Sequence, residues 1–179
     1  MSITYFVHGT TTDNEHDLAT GWNHGKLSKR GRQESKNLGV LVAHQSFDVV
    51  FCSDLKRAVE SATLAFENQY RIIQDARLRE CNYGDKNGTP VSAFKNDLNR
   101  FVDEPLPHGE SYRDVEKRMA DFLAFLKKNY DGKHIAIVAH QAPQLALDVL
   151  LKKKTWTQAF AEDWRKTGSW QPGWDYILE

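Results

Sequence analysis

Residues 6–12, Phe-Val-His-Gly-Thr-Thr-Thr, dominate the fold prediction, because an apolar run over residues 3–7 ends there in a histidine, a glycine and three hydroxyl residues. A short apolar run bounded by turn residues predicts a buried β-strand. His8 and Gly9 would then lie at the carboxyl end of this strand, where open α/β sheets bind ligands. Glycine lets the backbone turn sharply and approach a ligand closely, and the threonines offer donors to an anion. We therefore expect an anion site at His8.

The same alternation of apolar runs and helical patterns continues along the chain. Further strands are predicted over residues 48–52, 70–73, 134–139 and 174–178. Helices are predicted over 29–43 with Ser28 as N-cap, after an N-cap at Ser53, and over 92–101, 110–129, 142–151 and 156–165. Strands that alternate with helices indicate a three-layer α/β/α sandwich with a mostly parallel sheet. The strand over 174–178 is expected at an edge of the sheet.

The amino-acid composition argues against several classes of binding partner. The 179 residues are expected to form one domain, 1–179, and 24 basic against 24 acidic residues give a net charge of zero. This balance argues against binding to nucleic acid or to an anionic membrane surface. No window approaches the ~18 apolar residues of a membrane span, and no signal peptide is expected. Two cysteines make no disulfide framework, which favours a cytoplasmic location.

Four chemically active residues follow predicted strands. His8 and His140 each end an apolar run, Arg57 lies on the first turn of the helix after the second strand, and Glu80 follows the third strand. Because the carboxyl ends of parallel strands meet at one edge of a sheet, these side chains are expected to converge. An imidazole can accept a phosphoryl group, a guanidinium and a second imidazole can bind its oxygens, and a carboxyl group can move the proton. The set therefore suits phosphoryl transfer.

Seven short segments carry a family resemblance over nearly the whole chain. They are Val7-His8-Gly9-Thr10, Asn14 with Thr20-Gly21-Trp22, Leu27-Ser28 with Gly31, residues 53–58, Leu78-Arg79-Glu80 with Gly84 and Gly88, Gly109-Glu110-Ser111, and Val138-Ala139-His140. Each segment alone is a weak signal, but their order along the chain resembles that of the histidine phosphatase superfamily, with its phosphoglycerate mutase-like fold.

The resemblance implies roles for particular residues. His8 would be the phospho-accepting nucleophile, Arg57 and His140 would bind the phosphoryl oxygens, and Glu80 would be the general acid and base. The residues implied to bind substrate in the phosphate pocket or its lid loop are Gly9, Thr11, Asn14, Thr20 and Gly21.

The activity implied is that of a histidine acid phosphatase-like phosphomonoesterase acting on a small phosphorylated substrate, with no cofactor and no metal. The sequence has no HxH, HExxH or cysteine-rich spacing that would favour a metal site for the histidines. Oligomeric state is left open, a homodimer being one option.

The segment around His8 departs from the family at Val7, where an arginine is usual, and at Thr10, where an acidic residue is usual. Loss of one charged hydrogen bond removes roughly 1.5–3 kcal/mol. The site is then weakened, compensated by another base such as Lys56 or Arg79, or adapted to an unusual substrate.

Alternatives remain at several levels. The runner-up enzyme is a phosphoglycerate mutase, although residues 77–107 leave little room for the insertion that mutases carry. A catalytically silent relative that binds phosphorylated ligands is the alternative that Val7 favours.

Thr11, Asn14 and Thr20 are turn residues that often bond only their own backbone. The tryptophans, at positions 22, 156, 164, 170 and 174, are expected to pack, a substrate-facing role for one of them being the alternative.

Overall fold

A five-stranded sheet forms the centre of the computed structural model, which describes residues 1–169 and 171–179. Its strands are β1 (Ser2–Val7), β2 (Val49–Cys52), β3 (Ile72–Gln74), β4 (His134–Ala139) and β5 (Trp174–Ile177), in the order β3-β2-β4-β1-β5. All neighbouring pairs are parallel except β1 with β5, which is antiparallel. The mostly parallel sheet and the edge position of the last strand are confirmed.

Helices cover both faces of this sheet. The α-helices of the described residues are α1 (Thr12–Glu15), α2 (Lys29–Leu41), α3 (Lys56–Phe66), α4 (Tyr112–Asn129), α5 (Gln141–Lys152), α6 (Trp156–Ala161) and α7 (Trp164–Thr167). Successive strand residues point to opposite faces. In β4, Ile135 and Ile137 therefore pack with α4 and α5, whereas Ala136 and Val138 pack with α3. The predicted three-layer sandwich is confirmed. No helix within these described ranges is long and apolar enough to cross a membrane.

The strand register brings the predicted site residues to one edge. Val7 pairs with Ala139, so His8 and His140 follow neighbouring strands at the same level. The amide of His8 donates to the carbonyl of Ala139 at 3.0 Å, which extends the pairing by one residue. Cys52 pairs with Val138, and the chain then turns into α3 with Arg57 on its first turn.

The short helix predicted over 92–101 is divided in two and is of the 3-10 type. The chain forms two 3-10 segments there, Val91–Ala93 and Lys95–Phe101, and the second is kinked where Asp97 has φ −134° and ψ 68°. Asn and Asp side chains offer the backbone alternatives to helical hydrogen bonding. The side-chain Nδ2 of Asn96 donates to the carbonyl of Ser92 at 3.3 Å, and Phe94 and Leu98 of this segment are buried in the core.

Three smaller predictions also need correction. The helix over 156–165 is divided, because Asp163 accepts a hydrogen bond from the amide of Arg165 and begins α7 as its N-cap. Ser53 is not the N-cap of α3: its hydroxyl accepts from the amide of Leu55, and Leu55 is the cap. The third strand begins at Ile72 rather than at residue 70. The N-cap at Ser28 is confirmed, since its hydroxyl accepts from the amide of Gly31.

Candidate active site

The imidazole of His8 is held in one tautomer by its neighbours. Nδ1 lies 2.8 Å from the carbonyl oxygen of Gly9, which can only accept, so Nδ1 carries the proton. Nε2 then has the lone pair, and Nε of Arg57 donates to it at 3.3 Å. Burial, assisted by the positive charge of Arg57, lowers the pKa of His8 from 6.5 to about 3. At neutral pH the ring is therefore uncharged, with its Nε2 lone pair beside a guanidinium.

The loop after His8 is fixed by two helices. The amide of Gly9 donates to Oγ of Ser61 on α3 at 3.0 Å, and the amide of Thr10 donates to Oε2 of Glu34 on α2 at 2.9 Å. Gly31 on α2 packs directly on this loop, since a Cβ there would lie 1.9 Å from the carbonyl oxygen of Thr10. The loop position thus depends on how closely α2 approaches the end of β1.

Arg57 is almost fully enclosed, with 1% of its surface exposed. Nη2 donates to the carbonyl of Gly21 at 2.8 Å, and Nη1 donates to the carbonyl of Asn23 at 3.0 Å. Gly21 has a φ of +52°, which favours glycine and turns its carbonyl toward the guanidinium. Arg57 therefore connects the loop over residues 21–23 to the imidazole of His8.

The ring of His140 is adjacent to that of His8, with 5.0 Å between the two ring centroids. His140 is 0% exposed. Within residues 1–169 and 171–179, neither of its ring nitrogens has a hydrogen-bond partner. Burial and the charge of Arg57 hold the pKa of His140 well below its usual value. Buried polar atoms in folded proteins nearly always have partners. The unpaired nitrogens of His140 therefore suit a ligand bound next to His8.

The carboxylate of Glu80 sits on the N-terminus of α5. Oε1 accepts from the amides of Cys81 and Ala142, each at 2.9 Å, and Oε2 accepts from the amide of Gln141 at 3.2 Å. These three donors fix the orientation of a carboxylate that is 7% exposed.

The backbone of Glu80 is held as well. Its carbonyl accepts from Nε1 of Trp22 at 2.7 Å and from Nη2 of Arg118 at 3.0 Å. Arg118 pairs with Glu110 at 3.0 Å, so the Gly-Glu-Ser segment singled out in the sequence supports Glu80 through this arginine. Ser111 of that segment caps α4.

These residues surround a cavity of about 700 Å³. Of the predicted site residues, His8, Gly9, Asn14, Thr20, Gly21, Arg57 and Glu80 line it. Thr11 and His140, both 0% exposed, do not line it. The hydroxyl of Thr11 caps α1 by accepting from the amide of Asn14. The carboxamide oxygen of Asn14 returns a bond from the amide of Thr11 at 3.0 Å. Local capping therefore accounts for the hydroxyl of Thr11, which is the alternative given for this turn residue in the sequence.

The two bases expected to compensate for Val7 are also displaced from the cavity. Arg79 donates to Asp54 at 2.8 and 2.6 Å and lies over the ring of Trp22, while Lys56 is exposed. Besides Arg57, the positive charges that line the cavity belong to Arg30, Lys95 and Arg165. None of these three belongs to a segment of the family resemblance, and none was predicted from the sequence.

Lys95 has a distinct environment within this set. Its Nζ donates to Oε1 of Gln141 at 3.1 Å and lies 4.9 Å from the ring centroid of Tyr83. Burial lowers the pKa of the Lys95 ammonium. Lys95 therefore places a desolvated cation on the Glu80 side of the cavity.

Two tryptophans reach the cavity. Trp164 and Trp174 line it and stack on each other, with ring centroids 5.5 Å apart. Trp156 packs in the core and Trp22 contacts Glu80 as described above. Trp170 lies outside the described residues.

Within the described ranges, no group of three or more His, Cys, Asp or Glu side chains is arranged so that it could hold a metal ion.

Comparisons with known proteins agree with this arrangement. The model of the histidine phosphatase superfamily (branch 1) matches residues 5–170. Fructose-2,6-bisphosphatase TIGAR of Xenopus tropicalis is 33% identical over 136 residues, which are 70% of this chain but 50% of that protein. A 2,3-bisphosphoglycerate-dependent phosphoglycerate mutase of Methylorubrum extorquens is 29% identical over 164 residues, 83% of this chain and 77% of that protein.

Among solved structures, the alpha-ribazole phosphatase of Shigella flexneri superposes with a TM-score of 0.79 at 25% identity, covering 90% of this chain and 84% of that one. The order of the strands, the two histidines at neighbouring strand ends and the match over residues 5–170 lead to one assignment. The chain belongs to the histidine phosphatase superfamily.

Proposed function

We propose that residues 1–179 form one catalytic domain that hydrolyses a small phosphomonoester through a phosphohistidine at His8, as a histidine acid phosphatase-like enzyme. Glu80 is the general acid and then the general base, and Arg57 and His140 bind the phosphoryl oxygens. Gly9, Asn14, Thr20 and Gly21 contact the substrate from the cavity wall.

In the first step, the Nε2 lone pair of His8 attacks phosphorus and the bond from phosphorus to the ester oxygen breaks. The protonated carboxyl group of Glu80 gives its proton to that oxygen, so the leaving group departs as a neutral alcohol. Arg57 gives up its long bond to Nε2 and donates to a phosphoryl oxygen, where charge-assisted bonds are stronger. The products are phospho-His8 and the Glu80 carboxylate.

In the second step, the Glu80 carboxylate takes a proton from a water molecule whose oxygen attacks phosphorus. The bond from Nε2 to phosphorus breaks and inorganic phosphate leaves. His8 returns to its neutral form and Glu80 to its acid form, which closes the cycle.

One observation carries this proposal. The hydrogen bond from Nδ1 of His8 to Gly9 leaves Nε2 unprotonated beside Arg57, in a cavity that also contains the fixed carboxyl group of Glu80. A nucleophile, a cation and a proton carrier are thus present together. A protein that only bound phosphorylated ligands would need the cation but not the other two.

A panel of phosphomonoesters, headed by p-nitrophenyl phosphate, tests the proposal by phosphate release. We expect turnover by the wild type and a loss of about 10³-fold or more in His8→Ala. His44→Ala is the matched control, because His44 is exposed and does not line the cavity. Equal rates for His8→Ala and wild type would contradict the proposal. Absence of turnover on the whole panel, with binding of inorganic phosphate retained, would favour a silent binding protein.

Phosphoglycerate mutase is the second candidate, favoured by the match to mutases over 83% of this chain. The same purified protein would then interconvert phosphoglycerates. Hydrolysis of the panel without that interconversion would exclude the mutase.

A further inference from the structure

Arg165 brings a positive charge to the cavity from the segment between α6 and β5. Its side chain lines the cavity together with His8, Arg57 and Glu80. None of these three partners lies within 80 residues of it in sequence. Since no motif of the family resemblance includes Arg165, its presence at the site follows from tertiary structure alone.

The guanidinium of Arg165 is held by two hydrogen bonds and by contact with an aromatic ring. Nη1 donates to Oδ1 of Asp163 at 2.9 Å and to Oε1 of Gln144 at 3.4 Å, and the group lies 4.3 Å from the ring centroid of Trp164. Asp163 is buried, and its other oxygen accepts from Nε2 of Gln141. This network fixes the guanidinium at the cavity wall.

Arg165 keeps donors for a ligand. Its side-chain hydrogen bonds to the described residues all use Nη1. An arginine presents five N–H donors in a rigid fork that matches phosphate oxygens. Nε and Nη2 therefore offer donors that these contacts do not consume.

Besides Arg57 and Arg165, two further cations line the cavity, and both are less suited to bind the transferred phosphoryl group. Arg30 is 74% exposed and paired with Glu34 at 2.7 Å, so it lies at the solvent rim. Lys95 is bonded to Gln141 on the Glu80 side. The charge of Arg165 contributes to lowering the pKa of both His8 and His140, whereas neither Arg30 nor Lys95 is among the principal contributors.

The phosphoryl pocket needs a second cation. A phosphomonoester carries about −1.5 to −2 charge at pH 7. His8 and His140 are neutral there, because burial and Arg57 lower the pKa of each. Val7, which lines the cavity next to His8, has no donor. Arg57 alone leaves much of the phosphate charge unbalanced.

We propose that Arg165 is a second phosphoryl-binding residue, whose guanidinium donates to a non-bridging oxygen of the group that His8 accepts. This inference rests on the proposed function. It assigns Asp163 a positioning role, since Asp163 orients Arg165 without contacting the substrate.

Arg165→Gln tests the proposal, with Lys166→Gln as the matched control, because Lys166 is the exposed neighbour and loses the same charge. Calorimetry measures the Kd of inorganic phosphate, and steady-state kinetics measure kcat/KM for p-nitrophenyl phosphate. We expect Arg165→Gln to weaken phosphate binding and to lower kcat/KM by about 10- to 100-fold. Lys166→Gln is expected to stay within about twofold of wild type for both quantities.

The substitution Val7→Arg provides a second, independent test of the proposal. A cation at position 7 should restore part of the lost kcat/KM in the Arg165→Gln background and give little gain in the wild type, because the wild-type pocket already has its second cation. An equal gain in both backgrounds would overturn the proposal, since the two positions would then act independently.

Failure of the proposed function and failure of the role proposed for Arg165 give different results. A wild type that neither binds phosphate nor hydrolyses the ester overturns the proposed function itself. An active wild type with Arg165→Gln indistinguishable from Lys166→Gln overturns only the role of Arg165. Should Arg165→Gln fail to fold by circular dichroism, Arg165→Lys carries the test. It is expected to lose roughly 3- to 10-fold in phosphate affinity, as lysine lacks the planar fork, and unchanged affinity overturns the proposal.

Discussion

The side chain of His8 combines two requirements that oppose each other in water, a free lone pair and an anionic ligand. Its burial and the neighbouring Arg57 disfavour the imidazolium, while the carbonyl of Gly9 accepts a hydrogen bond from the one ring N–H that remains, on Nδ1. The guanidinium of Arg57 next to the ring thus has two roles. It keeps the nucleophile neutral before the reaction and is available to the phosphoryl oxygens during it.

The titration of His8 can be followed by ¹⁵N NMR of the imidazole nitrogens. We expect Nε2 to remain unprotonated as the pH falls from 7 to 4, since burial and Arg57 lower the pKa of His8 to about 3. The chain unfolded in urea should instead titrate near the ordinary value of about 6.5. A folded-state transition of His8 close to that ordinary value would show that the ring is hydrated and would contradict the account.

At this scale, the residues found from sequence were those that follow strands. His8, Arg57 and Glu80 could be expected at one edge because the parallel order of the sheet places the strand ends together. Arg165 and Lys95 could not, since Arg165 lies on the short helix α7 and Lys95 in a 3-10 segment before α4, and the positions of both depend on tertiary packing. For Thr11 the sequence left two alternatives, because a turn threonine caps a helix as readily as it contacts a ligand, and in the structure it caps α1.

Among the elements, the contact of α2 with the end of β1 sets the shape of the nucleophile loop. Gly31 is the point of closest approach, where helix backbone meets the carbonyl of Thr10. The predicted N-cap at Ser28 begins α2 at the position that allows this contact.

Gly31→Ala probes that contact, and two effects compete. Alanine favours the helix over glycine by about 1 kcal/mol, but its Cβ would lie 1.9 Å from a backbone oxygen. Overpacking of this kind costs about 1–3 kcal/mol, and backbone cannot rotate away as a flexible side chain can. We expect a net loss in the free energy of unfolding measured in urea, together with a lower kcat.

The matched control for Gly31→Ala is Gln33→Ala, on the exposed face of the same helix. It should leave both the unfolding free energy and kcat nearly unchanged. A Gly31→Ala variant as stable and active as this control would show that α2 can shift without moving the loop.

The elements that sequence predicted well are those with strong periodicity, such as β4 and α4. The segment over 91–101 has the same apolar spacing, yet its backbone forms two 3-10 segments and is non-helical at Asp97. Spacing alone therefore reports which side chains are buried, and not which helix type carries them.

For the molecule as a whole, the buried neutral histidines couple the site to acid stability. The folded-state pKa of His8 is about 3, and that of His140 is also lowered, whereas both are near 6.5 in an unfolded chain. Below pH 6.5 the unfolded chain thus binds more protons, and folding loses stability as the pH falls toward 3.

Urea unfolding at pH 7, 6, 5 and 4 measures this dependence. The wild type should lose more unfolding free energy between pH 7 and pH 4 than His8→Ala does, because the variant lacks one of the two groups. His44→Ala should follow the wild type. Parallel curves for wild type and His8→Ala would mean that His8 does not resist protonation in the folded state.

The central claim is that His8 carries the phosphoryl group during turnover. Its most direct test is mass spectrometry of the protein quenched in alkali during turnover of p-nitrophenyl phosphate, since a phosphohistidine survives base better than acid. We predict a peptide containing His8 heavier by one phosphoryl group in the wild type and in His44→Ala, and no such peptide in His8→Ala. Turnover with the phosphoryl group found on another residue, or an equal adduct in His8→Ala, would contradict the account.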